Sequence, residues 1–225
     1  GTRGMRAYLL KEISPLYMAI AKAAALVAKE KGNGTVDIIL PFLTNGWELE
    51  AILDGFKADN GETIVSSLRE TLAEFKGVKA RFGAVIESPA AVATAGDIAE
   101  HADFLVIDVK KLTEAVWAAF EKDTRAGFFN AYMEHGIWEK DPFIYAPKEV
   151  RELIQEAVNA ARQEKPDLEI RVVTNSKDDD LIVLALKLKV DSLIVSPEDA
   201  ELATTKAASS PIKTQNPVGG AGGEV

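Results

Sequence analysis

Five short apolar runs, separated by stretches with apolar residues three and four apart, set the pattern of this chain. The runs are Val36-Asp37-Ile38-Ile39-Leu40-Pro41-Phe42-Leu43, Gly83-Ala84-Val85-Ile86-Glu87-Ser88-Pro89, Ala102-Asp103-Phe104-Leu105-Val106-Ile107-Asp108, Leu168-Glu169-Ile170-Arg171-Val172-Val173-Thr174-Asn175 and Ser192-Leu193-Ile194-Val195-Ser196. Each is too short for a helix and rich in branched residues, so each predicts a buried strand. Between them the spacing predicts helices. One covers about residues 14–31 and stops at Gly32-Asn33-Gly34; one carries Leu49, Ile52, Leu53 and Phe56 and ends near Asp59-Asn60-Gly61. Others cover about residues 62–75, 90–102, 147–164 and 181–188. A helical insert with Trp117, Phe120, Phe128, Phe129, Tyr132 and Trp138 follows the third strand, its aromatics read as core or as a lid on the rim. Strands alternating with helices predict an α/β fold with a parallel sheet. The domain is expected over residues 1–208, with residues 209–225, Ser-Ser-Pro followed by a Gly-rich run, as a disordered tail.

Composition narrows the function classes. The 225 residues are 47% hydrophobic and 27% charged, enough for one sizeable core, and no apolar run reaches the roughly 18 residues of a membrane span. A net charge of -9 repels phosphate backbones, so nucleic acid and anionic membrane are poor partners. No stretch resembles a secretory signal, and a cytoplasmic protein is expected. The chain has no cysteine, which excludes disulfides, thiolate metal sites and a cysteine nucleophile.

The candidate chemistry gathers at one strand end. Glu87 closes the second run immediately before a Pro-started helix, the place where parallel α/β sheets hold ligands; it reads either as a functional carboxylate or as a cap on that helix. His101 and His135 read as packing or surface residues. Asp178-Asp179-Asp180 reads as an acidic helix start, because adjacent carboxylates do not converge on one ion. Gly32-Asn33-Gly34 lacks the Lys-Ser/Thr of a phosphate loop.

Several spaced motifs carry a family resemblance. Residues 83–89, with Ala93, Asp97-Ile98-Ala99 and Ala102-Asp103-Phe104, resemble the G-x-M-x-E-x-P … A … D-E-I-A … A-D-F-F run of the phosphoenolpyruvate-utilising enzymes. Gly1-Thr2-Arg3-Gly4-Met5-Arg6 is similar to their G-x-R-G-x-R turn, and Ile39-Leu40-Pro41-Phe42-Leu43, followed by Glu48-Leu49, to their M-x-P-x-V strand. Lys122-Asp123, Phe128, Tyr132, Gly136-Ile137, Asp141-Pro142-Phe143 and Pro166-Asp167-Leu168 fall at the spacing of the pyruvate phosphate dikinases, and Val190-Asp191 with Val195-Ser196-Pro197 resembles their closing strand. The resemblance runs from Gly1 to about Ala208. It implies the C-terminal phosphoenolpyruvate/pyruvate-binding domain, a (β/α)8 TIM barrel of which this chain supplies strands four to eight, so the expected fold is a partial barrel. The first three strands would occupy a segment of roughly 80 residues.

The same resemblance implies site residues. In the family, two carboxylates on adjacent strands hold magnesium, arginines hold the phosphate, and a cysteine moves a proton at the methyl carbon. Glu87 falls on the first metal carboxylate and Arg3 on a phosphate-binding arginine. The family's G-T-N-D-L-T-Q corresponds to Asp108-Val109-Lys110-Lys111-Leu112-Thr113-Glu114, so the second metal carboxylate has become Lys111. The cysteine position is Val173, which carries no proton. Asp108 stands three residues before the family position, about 10 Å along a strand. Glu87 is expected to pair with Lys111 or Lys110 in place of an ion.

Two readings follow. In one, the chain is a catalytically degenerate dikinase-like domain that acts as a subunit, scaffold or regulatory module, with an anion pocket for a phosphoenolpyruvate- or pyruvate-like ligand near Arg3. In the other, it is an active magnesium-dependent phosphotransferase or lyase whose metal ligands are Glu87 and Asp108. Either way an open five-stranded sheet has two edges to cover, by a second polypeptide that completes the barrel or by self-association.

Overall fold

The computed structural model describes residues 8, 14–32, 34–57 and 59–210. Arg3, with the whole 1–6 turn, and residues 211–225 of the expected tail lie outside the described residues. Helix α1 (Ser14–Glu30) leads into β1 (Thr35–Leu40), α2 (Gly46–Asp54), a hairpin of β2 (Phe56–Lys57) and β3 (Thr63–Val65), α3 (Leu68–Ala73) and β4 (Lys79–Ile86). Then come α4 (Pro89–Ala93), α5 (Ala95–His101), β5 (Phe104–Asp108), α6 (Val109–Trp117), α7 (Glu121–Ala126), α8 (Phe129–Glu134) and α9 (Lys148–Glu164). The chain continues through β6 (Glu169–Val173), α10 (Asp179–Lys187), β7 (Ser192–Ile194) and α11 (Ala200–Ser209). All five predicted strands are present and parallel, in the order β1-β4-β5-β6-β7.

Three local expectations are corrected. The helix expected from residue 62 begins only at Leu68, because Gly61, at φ 81°, turns the chain and Thr63-Ile64-Val65, all three β-branched, pair with Phe56–Lys57 as a hairpin. The helix expected over residues 90–102 is two helices broken at Thr94, whose hydroxyl donates to Thr44 O (2.8 Å) and Ala90 O (3.1 Å). Helix α11 runs one residue past the expected boundary at 208, to Ser209.

The two faces of the sheet differ. Leu40, Phe82, Ala84, Ile86, Leu105, Ile107, Ile170 and Val172 join the helices in the main core. The opposite face carries a second, small apolar cluster of Val85, Phe104 and Val106, with Val173 packed against it. Below that cluster, toward the strand N-termini, lie four charges. Arg81 binds Asp37 through Nε (2.8 Å) and Nη2 (2.7 Å), and Glu169 through Nη1 (2.6 Å). Arg171 binds Glu169 through Nε (2.6 Å) and Asp37 through Nη2 (2.7 Å). Both guanidinium groups stack on the Phe104 ring, at 5.2 and 4.0 Å from its centre.

This layer reports the curvature. Strands β1 and β6 are three strand spacings apart, about 14 Å along a flat sheet, yet Asp37 and Arg171 touch. Their side chains meet because the sheet curls around that face, as a barrel wall does. The chain is a partial (β/α)8 barrel with the charged layer and Phe104 as its inner filling. Among the described residues no helix is long and apolar enough to cross a membrane.

Candidate functional site

The site lies at the C-terminal ends of β4, β5 and β6. Glu87 is the junction residue between β4 and α4 and is buried, at 5% exposure. It is not the helix cap: Ser88 fills that role, its Oγ accepting from Ala91 N at 3.2 Å with Pro89 following at the first helical position. The Glu87 carboxylate instead accepts the Phe42 N–H through Oε1 at 2.7 Å and so holds the loop leaving β1. Phe42 has φ 58°, a left-handed conformation that costs a side-chain-bearing residue of order 1 kcal/mol or more, and Glu87 is what secures it. Burial pushes the Glu87 carboxyl above its ordinary range, and the charge of Asp108 adds to that, while the Phe42 amide and Lys111 pull it back.

Asp108 ends β5 opposite Val173 of β6. The strand stops there, so Asp108 stands at the mouth itself rather than 10 Å inside it. Its Oδ1 accepts from Lys111 N at 3.0 Å and caps α6. Lys111, in the first turn of α6, donates from Nζ to Glu114 Oε2 at 2.8 Å. Glu114 is nearly buried and also accepts the Glu121 N–H at 3.1 Å through Oε1. The expected Glu87 pairing with Lys111 or Lys110 is therefore corrected: helical i,i+3 spacing gives Lys111 to Glu114, and Lys110 binds Glu121. The hydrogen bond to Glu114 raises the Lys111 pKa, and the fields of Asp108 and Glu87 add to it, so the ammonium is held charged.

Val173, the last residue of β6, packs on the inner apolar cluster, and the loop after it is tied down. Asn175 Nδ2 donates to Ile144 O (2.8 Å), and the buried Asp178 accepts from Ala146 N (2.6 Å) and, as cap of α10, from Leu181 N (3.1 Å). Burial raises the Asp178 pKa. The Asp178–Asp180 run is thus a helix start, and its first carboxylate also clamps the end of the insert. The insert's aromatics form a packed cluster, with Trp138 at 5.4 Å from Trp117 and 5.0 Å from Tyr132, ring centre to ring centre. His101 lies in the last turn of α5 and His135 ends α8. Among the described residues no three of Asp, Glu and His form a group able to hold a metal.

As a donor set for magnesium this mouth is a poor fit. That ion asks for hard oxygens, whereas here Glu87 and Asp108 each commit one oxygen to a backbone amide and a lysine ammonium stands with them. Sequence reading placed Asp178 at a helix start but missed its tie to Ala146, the pairing of Glu114 and the four-charge layer. The one signal for the layer was charge at alternate, sheet-facing positions: Asp37, Arg81, Glu169 and Arg171.

The family model for the PEP-binding domain of the PEP-utilising enzymes matches residues 1–212. Pyruvate, phosphate dikinase of Clostridium symbiosum is 28% identical over 215 residues, which cover 92% of this chain and 24% of that protein. The dikinase of Rhizobium meliloti (strain 1021) is 34% identical over 178 residues, 76% of this chain and 19% of that protein. The chain thus spans about a quarter or less of these relatives. Among solved structures, an HpcH/HpaI aldolase from Desulfitobacterium hafniense DCB-2 superposes with a TM-score of 0.44 at 15% identity, over 76% of this chain and 61% of that one. A match along residues 1–212 makes this chain a member of the PEP-utilising enzymes, in the family of their PEP-binding domain.

Proposed function

We propose that the chain keeps the barrel of the PEP-binding domain without its metal-dependent chemistry, and works as a non-catalytic module, a subunit, scaffold or regulator of a larger assembly. The observation that carries this reading is Lys111: an ammonium fixed by a nearly buried carboxylate, on the residue that the sequence resemblance aligns with the family's second metal ligand. Val173 supports it, because an alkyl group at the acid/base position moves no proton. In the pure chain, magnesium-dependent exchange of the methyl protons of pyruvate into deuterated water, followed by NMR, should be undetectable. Exchange above the buffer rate would overturn the reading.

The assembly half of the proposal rests on the open sides. β1 and β7 are sheet edges, and α1 beside β1 exposes Leu16 (61%) and Ile20 (60%) on one stripe. These are the surfaces that a further α/β unit, from another polypeptide or a second copy, would cover. Light scattering at micromolar concentration should give a mass above 24.3 kDa for the chain alone or with its partner.

A second reading keeps catalysis with Glu87 and Asp108 as relocated magnesium ligands, acting on a phosphoenolpyruvate- or pyruvate-like anion that Arg3 would hold. The placement of Asp108 at the strand end, close enough to raise the Glu87 pKa, favours it. Micromolar magnesium binding by calorimetry, abolished in Glu87→Ala, would select this reading over the first.

A further inference from the structure

We infer that Lys111 is the cation of this mouth: its ammonium replaces a divalent ion and balances the carboxylates of Glu114, Asp108 and Glu87. Glu114 is nearly buried, and a carboxylate there without a cation is expensive. Lys111 answers it directly at 2.8 Å, and Asp108 orients the first turn of α6 by accepting the backbone N–H of the same residue. One residue thus supplies the charge that answers Glu114 and the peptide group that holds Asp108. The ammonium is covalently attached, so the arrangement is complete at any magnesium concentration. Two carboxylates with water suffice for magnesium. Lys111 keeps that ion out by repulsion.

The proposal deepens the reading of a metal-independent domain, and its test reads cation binding rather than turnover or assembly. The full chain, Lys111→Arg and Lys111→Met are melted in EDTA and in millimolar magnesium, and Mn2+ binding is followed by electron paramagnetic resonance. Wild type and Lys111→Arg should melt at the same temperature with and without magnesium. Lys111→Met should melt lower in EDTA and recover in magnesium, and should bind Mn2+ at least about tenfold tighter than wild type, since a single charge about 5 Å from a divalent ion is worth that much even in water. If Lys111→Met is too unstable to purify, the double variant Lys111→Met/Glu114→Gln removes the uncompensated buried charge and should still gain Mn2+ binding through Glu87 and Asp108. A folded Lys111→Met, or a folded double variant, as blind to Mn2+ as wild type would overturn the inference. So would a wild-type chain stabilised by magnesium in a manner lost in Glu87→Gln. If pyruvate exchange is absent and the Lys111 variants gain no cation, only this inference fails; if exchange is present, the non-catalytic reading fails by itself.

Discussion

Gly83→Ala is expected to lower the unfolding free energy by about 3 kcal/mol, at the upper end of what overpacking ordinarily costs. A Cβ built on Gly83 falls 2.2 Å from Phe104 Cε2 and 2.4 Å from Cζ. The ring has nowhere to go. It is fully buried, it faces Gly83 in the β4–β5 register, and the guanidinium groups of Arg81 and Arg171 lie on it. Glycine here is a packing requirement rather than a conformational one. Urea denaturation measures the loss, and the cause is separable: Phe104→Leu costs stability alone but should recover part of the loss in the Gly83→Ala background, a non-additivity of at least about 1 kcal/mol. Additive losses, or an alanine tolerated within about 0.5 kcal/mol, would place the ring elsewhere.

Asp37→Asn is expected to cost about 2 kcal/mol at neutral pH, between an exposed and a buried ion pair, because the layer is about three-quarters buried. Asp37 makes three of the five contacts to the two arginines and Glu169 the other two, so the loss of Asp37 leaves Arg81 and Arg171 sharing Glu169 alone. The pH dependence has a definite sign. The hydrogen bond from Arg81 holds Asp37 below its ordinary range, and that from Arg171 does the same for Glu169. Groups lowered in the folded state bind fewer protons there than in the unfolded chain. Their contribution is complete above the unfolded values near pH 4 and is lost as pH falls through the depressed ones. The gap between wild type and Asp37→Asn in urea melts should be full at pH 7 and should narrow below about pH 4. A constant gap down to pH 3 would mean that the arginines do not depend on this carboxylate.

The strands were legible because burial on both faces of a parallel sheet leaves short runs of branched residues, and Glu87 was legible because a charged residue interrupts such a run just before Ser-Pro. The hairpin of β2 and β3 was not, since Thr63-Ile64-Val65 is too short to show a period and its partner has two residues. Lys111 was paired wrongly: proximity across strands suggested Glu87, while the helix it begins offers Glu114 one turn on. The four-charge layer is invisible to any local window. Its members stand on β1, β4 and β6, and only the curl of the sheet brings them together.

That layer also orders events in time. Asp37 and Arg81 close a loop of 44 residues, whereas Asp37 and Arg171 close one of 134. In a disordered chain the longer closure costs about 1 kcal/mol more, so the Arg171 arm has little chance of forming before β4, β5 and β6 have paired and shortened the path. The curl is then a late product of folding and an early casualty of opening. Amide hydrogens of β1, whose grip on β6 depends on that one contact, should exchange by a smaller opening than those of β4 and β5, which the register holds from both sides.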